Sequence, residues 1–305
     1  LNSSTSPVHA ARTATGRALA AAGVFAIMAM VARLLSRTIP GPQIAAVRFA
    51  VGVLVVLAML VTLRVELRPR RWGWLISRGV FGGTAVLLYF TCIAKIGVGI
   101  TTLLNYTSPV WSMFFAWWLL GERPRSQAFA ALALTLGGVA ILASGRTNGW
   151  RLGGWELVAT LSAVLSGMAI TSIRAARRPG EDGSAGENSW TVFASFTGVG
   201  LLATVPAALP PFGTWVAPDA REWALLVVCG LLSVAAQLLM TSALGRLTAV
   251  TLGILQQATV VLAMVGGIFF LGETLGGRGL VGSIVTMVGV LWSIVAERAA
   301  DRADA

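Results

Sequence analysis

The stretch LLNYTSPVWSMFFAWWLLGERP, Leu103 to Pro124, is apolar enough for lipid at both ends, yet Asn105, Tyr106 and Pro109 interrupt it. A helix needs about 20 apolar residues to cross the hydrocarbon of a bilayer. An amide or a phenol at that depth costs free energy unless something hydrogen-bonds it. The interruption recurs. Sliding the chain on itself by 151 residues lays LLGERP over FLGETL, so that Gly121 and Glu122 meet Gly272 and Glu273. Asn105 then meets Gln256, Lys95 meets Arg246, Thr135 meets Thr286, and Gly138 with Val139 meets Gly289 with Val290. Five apolar spans separate the copies, and an odd number of spans turns the second copy upside down in the membrane, as in many secondary transporters.

Working outward from this repeat, ten spans emerge, at 17 to 35, 42 to 63, 73 to 94, 98 to 120, 126 to 144, 154 to 173, 190 to 209, 222 to 243, 247 to 271 and 278 to 296. The first run has no convincing signal-peptidase site and is expected to stay as a helix. The predicted fold is an all-α membrane protein of ten transmembrane helices, in two inverted five-helix repeats around a central cavity. Residues 1–16 form a polar N-terminal tail, 17–150 the first repeat, 151–298 the second and 299–305 a C-terminal tail. Of the 305 residues 56% are hydrophobic and 11% charged, which excludes an ordinary soluble domain. With both termini in the cytoplasm, fourteen Lys and Arg fall in inner loops and tails and seven in outer loops, the bias that sets topology. The net charge of +11 is therefore scattered between apolar runs, and no nucleic-acid partner is expected. Trp72, Trp117, Trp118, Trp155 and Trp223 fall near span ends, as an interfacial belt requires.

The paired Gly-Glu ends of the fourth and ninth spans, the Arg48-Phe49 pair and the glycine-bearing fifth and tenth spans resemble the drug/metabolite transporter superfamily, in its ten-helix EamA-type branch. The NYTSP stretch, Asn105 to Pro109, is similar to a pattern in YddG-like amino-acid exporters. The resemblance implies a basket-like bundle with a central cavity, export of a small molecule and residence in a bacterial inner membrane. A monomer is compatible with it. No cofactor or metal is implied.

Steps of three and four along the fourth span put Thr102, Asn105, Pro109, Ser112 and Ala116 on one face. The ninth span repeats the stripe with Gly253, Gln256, Val260, Ala263 and Gly267. Both stripes are small or polar among bulky neighbours, so both face protein or a cavity rather than lipid. Asn105 and Gln256 serve either a polar site or an interhelical contact. Pro109 frees the carbonyl of Asn105 and is a hinge candidate; Val260 stands at its counterpart, so the kink is expected on one side only. Further cavity candidates are Tyr89, Tyr106, Trp111, Ser166, Gln237, Thr241 and Gln257, since aromatic walls with a few placed amides and hydroxyls suit an amphipathic solute. Arg48 lies close enough to the outer end of its span to snorkel; it reads first as positioning neighbouring helices, with a substrate carboxylate as the alternative partner. Gly121, Glu122, Gly272 and Glu273 read as turn and capping landmarks.

No acidic residue falls at a span centre, which disfavours proton coupling through a buried carboxylate and points to facilitated export, or to coupling through a residue of another kind. A cation exporter would want such a carboxylate. A sugar-phosphate or nucleotide-sugar carrier would want several cavity cations, whereas Arg78 and Lys95 read as lying near span ends; a neutral or zwitterionic solute fits best, and amino acids with aromatic or large hydrophobic side chains fit the polar stripes and aromatic walls. There is no HExxH, no GxSxG with a partner histidine and no carboxylate pair, so an intramembrane enzyme lacks its usual parts. Cys92, Cys229 and the tail residue His9 read as carrying no chemistry.

Overall fold

A computed structural model describes residues 7–105, 107–124, 126–144, 153–179, 184–271 and 277–303. Every regular element among the described residues is a helix, with no strand among them. The helices are α1 (Pro7–Leu35), α2 (Gly41–Thr62), α3 (Trp72–Asn105), α4 (Ser108–Leu120), α5 (Ser126–Ser144), α6 (Gly154–Arg177), α7 (Ser189–Ala208), α8 (Ala220–Ala243), α9 (Ala249–Gln256), α10 (Ala258–Leu271) and α11 (Gly277–Ala303). Six stretches within them, in α1, α2, α3, α6, α7 and α8, are long and apolar enough to cross a membrane. Bulky apolar side chains such as Leu54, Val61, Leu202 and Phe269 lie exposed, as they would against lipid. Trp72, Trp118, Trp155 and Trp223 are exposed near helix ends, where an indole meets the headgroups.

Helix α3 is longer than a bilayer is thick, since its 34 residues would span about 51 Å if straight. It is not straight. The Ser162 hydroxyl of α6 donates to the Ala85 carbonyl at 2.8 Å and accepts from the Asn105 amide at 3.1 Å, so two points of α3 meet at one side chain. In a straight helix those points would stand about 30 Å apart. The reversal lies near the start of α6, where Cys92 Sγ approaches the Trp155 carbonyl and Lys95 Nζ sits 5.6 Å from the Trp155 ring. Beyond it the chain runs parallel to α6: Asn105 meets Ser162, Thr171 donates to the Ser112 carbonyl and Arg178 to the Leu120 carbonyl. The interval stays at 57, 59 and 58 residues, so the run keeps its direction through the break at Thr107.

The same construction occurs 151 residues later. Helices α9 and α10 run beside α1, with Gln256 donating to the Ala18 carbonyl and Gly266 packed on Met30. Asn105 ends α3 and Gln256 ends α9, so the helix is interrupted at matching places. This corrects the expectation of a one-sided kink. No proline is needed at the second break: the Gln257 N–H turns back to Ile254 by a tighter bond, as Thr107 does to Leu104. Pro109 does not kink a continuous helix either. It lies in the first turn of α4, where a missing N–H costs nothing.

Helices α5 and α11 cross through glycine. A Cβ on Gly138 would lie 2.4 Å from the Thr286 nitrogen, and one on Gly289 would lie 2.6 Å from Thr135 Cγ2. Each glycine faces the threonine that its 151-residue counterpart carries nearby, a reciprocal contact of the kind a twofold axis produces. At one end of the bundle Glu187 accepts the N–H groups of Arg70 and Arg71, while Arg174 bridges Glu122 at 2.6 Å and the Leu244 carbonyl at 3.2 Å. At the other end the Gln43 amide pairs with both backbone groups of Val216, at 2.7 and 3.0 Å, and Thr38 bonds Glu222.

Candidate functional site

Two groups of polar side chains lie inside the bundle. The first surrounds the helix breaks. Asn105 and Gln256 are half-buried, and each amide donates to a neighbouring helix, Asn105 to the Ser162 hydroxyl and Gln256 to the Ala18 carbonyl. Each residue therefore has the interhelical contact that was one of its two expected uses, with its amide oxygen still at hand for another donor. Gln257 is 1% exposed at the second break. Trp111 packs its Cβ against Gly167 of α6, where a methyl group would come within 2.5 Å. Ser166 is half-buried one turn on from Ser162. Pro109, Ser112 and Ala116 are buried, as the stripe predicts, and Pro109 rests on Gly253, where a Cβ would stand 2.8 Å away. Tyr106, Gly272 and Glu273 lie outside the described residues.

The second group holds two arginines. Arg48 is 5% exposed, so it does not snorkel to the exterior. Its guanidinium lies 5.1 Å from the Phe49 ring and 6.0 Å from Phe90, with Met28 Sδ 4.0 Å from one nitrogen. Tyr89, edge-on to Phe90, and Cys229 are within electrostatic reach of it. Arg78 is equally buried, which differs from its reading as a residue near a span end. Gly82, one turn on, leaves room for its long side chain to lie over the Phe196 ring at 3.7 Å and to reach the Gln237 oxygen at 2.9 Å. Gln237 is 7% exposed, and Thr241, one turn further along α8, is 1% exposed. The Phe49 and Phe196 rings on which the two guanidiniums lie meet edge to face at 5.0 Å, so the two cations share one buried neighbourhood. Among the described residues no carboxylate touches either one.

Glu122 refines the reading of a capping landmark. Gly121 takes the left-handed φ of 67° that ends α4, and the N–H groups of Gly121 and Glu122 close on the carbonyls of Trp117 and Ala116. The Glu122 side chain does not cap; it binds Arg174. Sequence reasoning missed Arg78, Ser162 and Arg174. A charge six residues inside a span was the signal for the first, since such a residue is a functional candidate by default.

The model of the EamA-like transporter family matches this chain twice, at residues 16–144 and 153–295. Two strains of Pseudomonas aeruginosa, UCBPP-PA14 and PAO1, carry relatives named pseudopaline exporter CntI, each 26% identical over 272 residues, 89% of this chain and 92% of the relative. A solved crystal structure superposes with a TM-score of 0.77 at 21% identity, covering 94% of this chain and 98% of the other, a likeness that concerns the fold alone.

Proposed function

The chain belongs to the EamA-like transporter family, an integral membrane transporter by that membership, and we propose that it exports small neutral or zwitterionic metabolites by alternating access. The working unit in this reading is ten spans, built as two inverted five-helix halves at 17–150 and 151–298, with both termini in the cytoplasm of a bacterial cell. The observation that carries it is the pair of helix breaks at Asn105 and Gln256. Broken helices in corresponding places of two halves are where transporters of this architecture bind their solutes and hinge. The reciprocal glycine contacts of α5 and α11 and the twofold match to one family model support the same symmetry.

Asn105, Gln256, Tyr89, Trp111, Ser166, Gln237, Thr241, Gln257 and Arg48 are the cavity candidates in this reading, with Pro109 at the hinge. Amino acids with aromatic or large hydrophobic side chains are the first cargo to test. Pseudopaline, the cargo named for the Pseudomonas aeruginosa relatives, is the second. Proteoliposomes loaded with radiolabelled phenylalanine, tryptophan or pseudopaline should release at least one of them faster than protein-free liposomes. Equal rates for all three would overturn this cargo assignment. No acidic residue falls at a span centre in the sequence, and this supports transport down the solute gradient. Accumulation against that gradient under an imposed pH difference would contradict this.

A further inference from the structure

Resting on the transporter reading, we infer that Arg48, Arg78 and Gln237 form an oxyanion-binding site, which takes a carboxylate or phosphate group of the transported solute. The argument begins with cost. A buried guanidinium loses several kcal/mol of hydration, and the interior must return it through hydrogen bonds and opposite charge. Here the return falls short. Cation–π contact with the Phe196, Phe49 and Phe90 rings supplies about 2 kcal/mol at best for each cation. The Nε and one terminal nitrogen of Arg48, and the Nε of Arg78, have no hydrogen-bond partner in the protein. No opposite charge among the described residues offsets the two cations, which lie on the touching Phe49 and Phe196 rings. A pair of arginines kept at this cost, 5% exposed each and with no acidic partner among the described residues, matches what an incoming anion would supply.

Placement supports the same assignment. Helices α2 and α3 are joined through residues 63–71, so they run in opposite directions. Arg48 enters about a third of the way along α2 from Gly41, and Arg78 about 9 Å along α3 from Trp72. The two side chains thus converge from opposite membrane faces. Each is at a depth where only the bundle's interior can be its ligand's route. Gln237 holds one nitrogen of Arg78 and fixes the direction of the guanidinium, leaving its buried Nε without a partner. A solute oxyanion received from one side stays within reach of a cation when the bundle opens to the other. The reading from sequence discounted anionic cargo because Arg78 looked peripheral; its burial removes that objection.

The test compares matched solutes on the purified full-length protein in detergent, followed by thermal shift, and in proteoliposomes, followed by flux. The probes are N-acetylphenylalanine, its uncharged N-acetylphenylalaninamide counterpart, phenyl phosphate and inorganic phosphate. The expected result is binding of N-acetylphenylalanine or phenyl phosphate at least about tenfold tighter than of the amide, the value of one charge-assisted pair. Preference between the carboxylate and the phosphate identifies which oxyanion the site takes, and a shift with inorganic phosphate alone marks a phosphate site. Equal behaviour of acid and amide, together with no shift by phenyl phosphate or inorganic phosphate, overturns the inference. Arg48→Gln and Arg78→Gln should abolish the discrimination, while Arg48→Lys and Arg78→Lys retain part of it. Should the Gln variants fail to fold, the acid and amide comparison on the unaltered chain still decides. Tight oxyanion binding without flux would uphold this site and overturn the export reading, and flux that ignores charge would do the reverse.

Discussion

The Asn105 amide shows how one residue can serve packing and cargo at once. Its Nδ2 donates to Ser162, whose hydroxyl hydrogen is already committed to the Ala85 carbonyl. Truncation to alanine therefore leaves no buried donor orphaned on α6, and the loss is that of one ordinary hydrogen bond, about 1 kcal/mol. Gln256 stands in the same relation to Ala18 of α1. Asn105→Ala and Gln256→Ala are expected to fold, with unfolding midpoints in detergent only slightly lowered, and to slow cargo efflux from proteoliposomes several-fold. Unchanged efflux in both would leave the amides as interhelical ties and nothing more. A collapse in folded yield would show that the packing role dominates.

At the scale of elements, the breaks in the fourth and ninth spans depend on how α4 and α9 meet. Pro109 lies against Gly253, and any Cβ there would come 2.8 Å from the proline, closer than such atoms approach. Gly253→Ala should therefore force the helices apart and destabilise the protein by about 1 to 3 kcal/mol. Gly137→Ala on α5, where nothing lies within 4 Å, should be neutral or slightly stabilising, because alanine is the better helix former. Equal melting shifts for the two variants would refute a tight α4 and α9 contact. The six long apolar helices, the facing Gly138 and Gly289 pairs and the buried stripe of Pro109, Ser112 and Ala116 were legible in the sequence because hydrophobic runs and glycine spacing report burial directly. The second break was not, since Gln256 and Gln257 carry no helix-breaking chemistry, and the Gln256 bond to Ala18 of α1 forms only in the folded bundle. Nor was the inward course of Arg78. Its distance from the span end was plain, but the path of its side chain depends on Gly82, Phe196 and Gln237, which come together only in the folded bundle.

Across the whole molecule, two clamps tie opposite ends of the bundle, and under the proposed alternating access they would have to yield in turn. At one end Arg174 of α6 holds the Glu122 carboxylate and the end of α8 through Leu244. At the other, Gln43 of α2 pairs with both backbone groups of Val216, and with 0% exposure it has no water to replace them. Breaking either clamp leaves part-buried polar groups unsatisfied, at about 1 to 3 kcal/mol, enough to shift a two-state population by tenfold or more. Cys229 is a natural reporter, buried at 1% exposure and within reach of Arg48, which lies toward the Gln43 end. In a Cys92→Ala background, Gln43→Ala should open the near end and speed modification of Cys229 by a small charged methanethiosulfonate reagent. Glu122→Gln should release the far end, favour closure around Gln43 and slow the same reaction. Opposite effects from two substitutions at opposite ends are the mark of a single bundle that rocks between two states. Acceleration by both would instead mean that each merely loosens the fold near it, and the two clamps would not be gates.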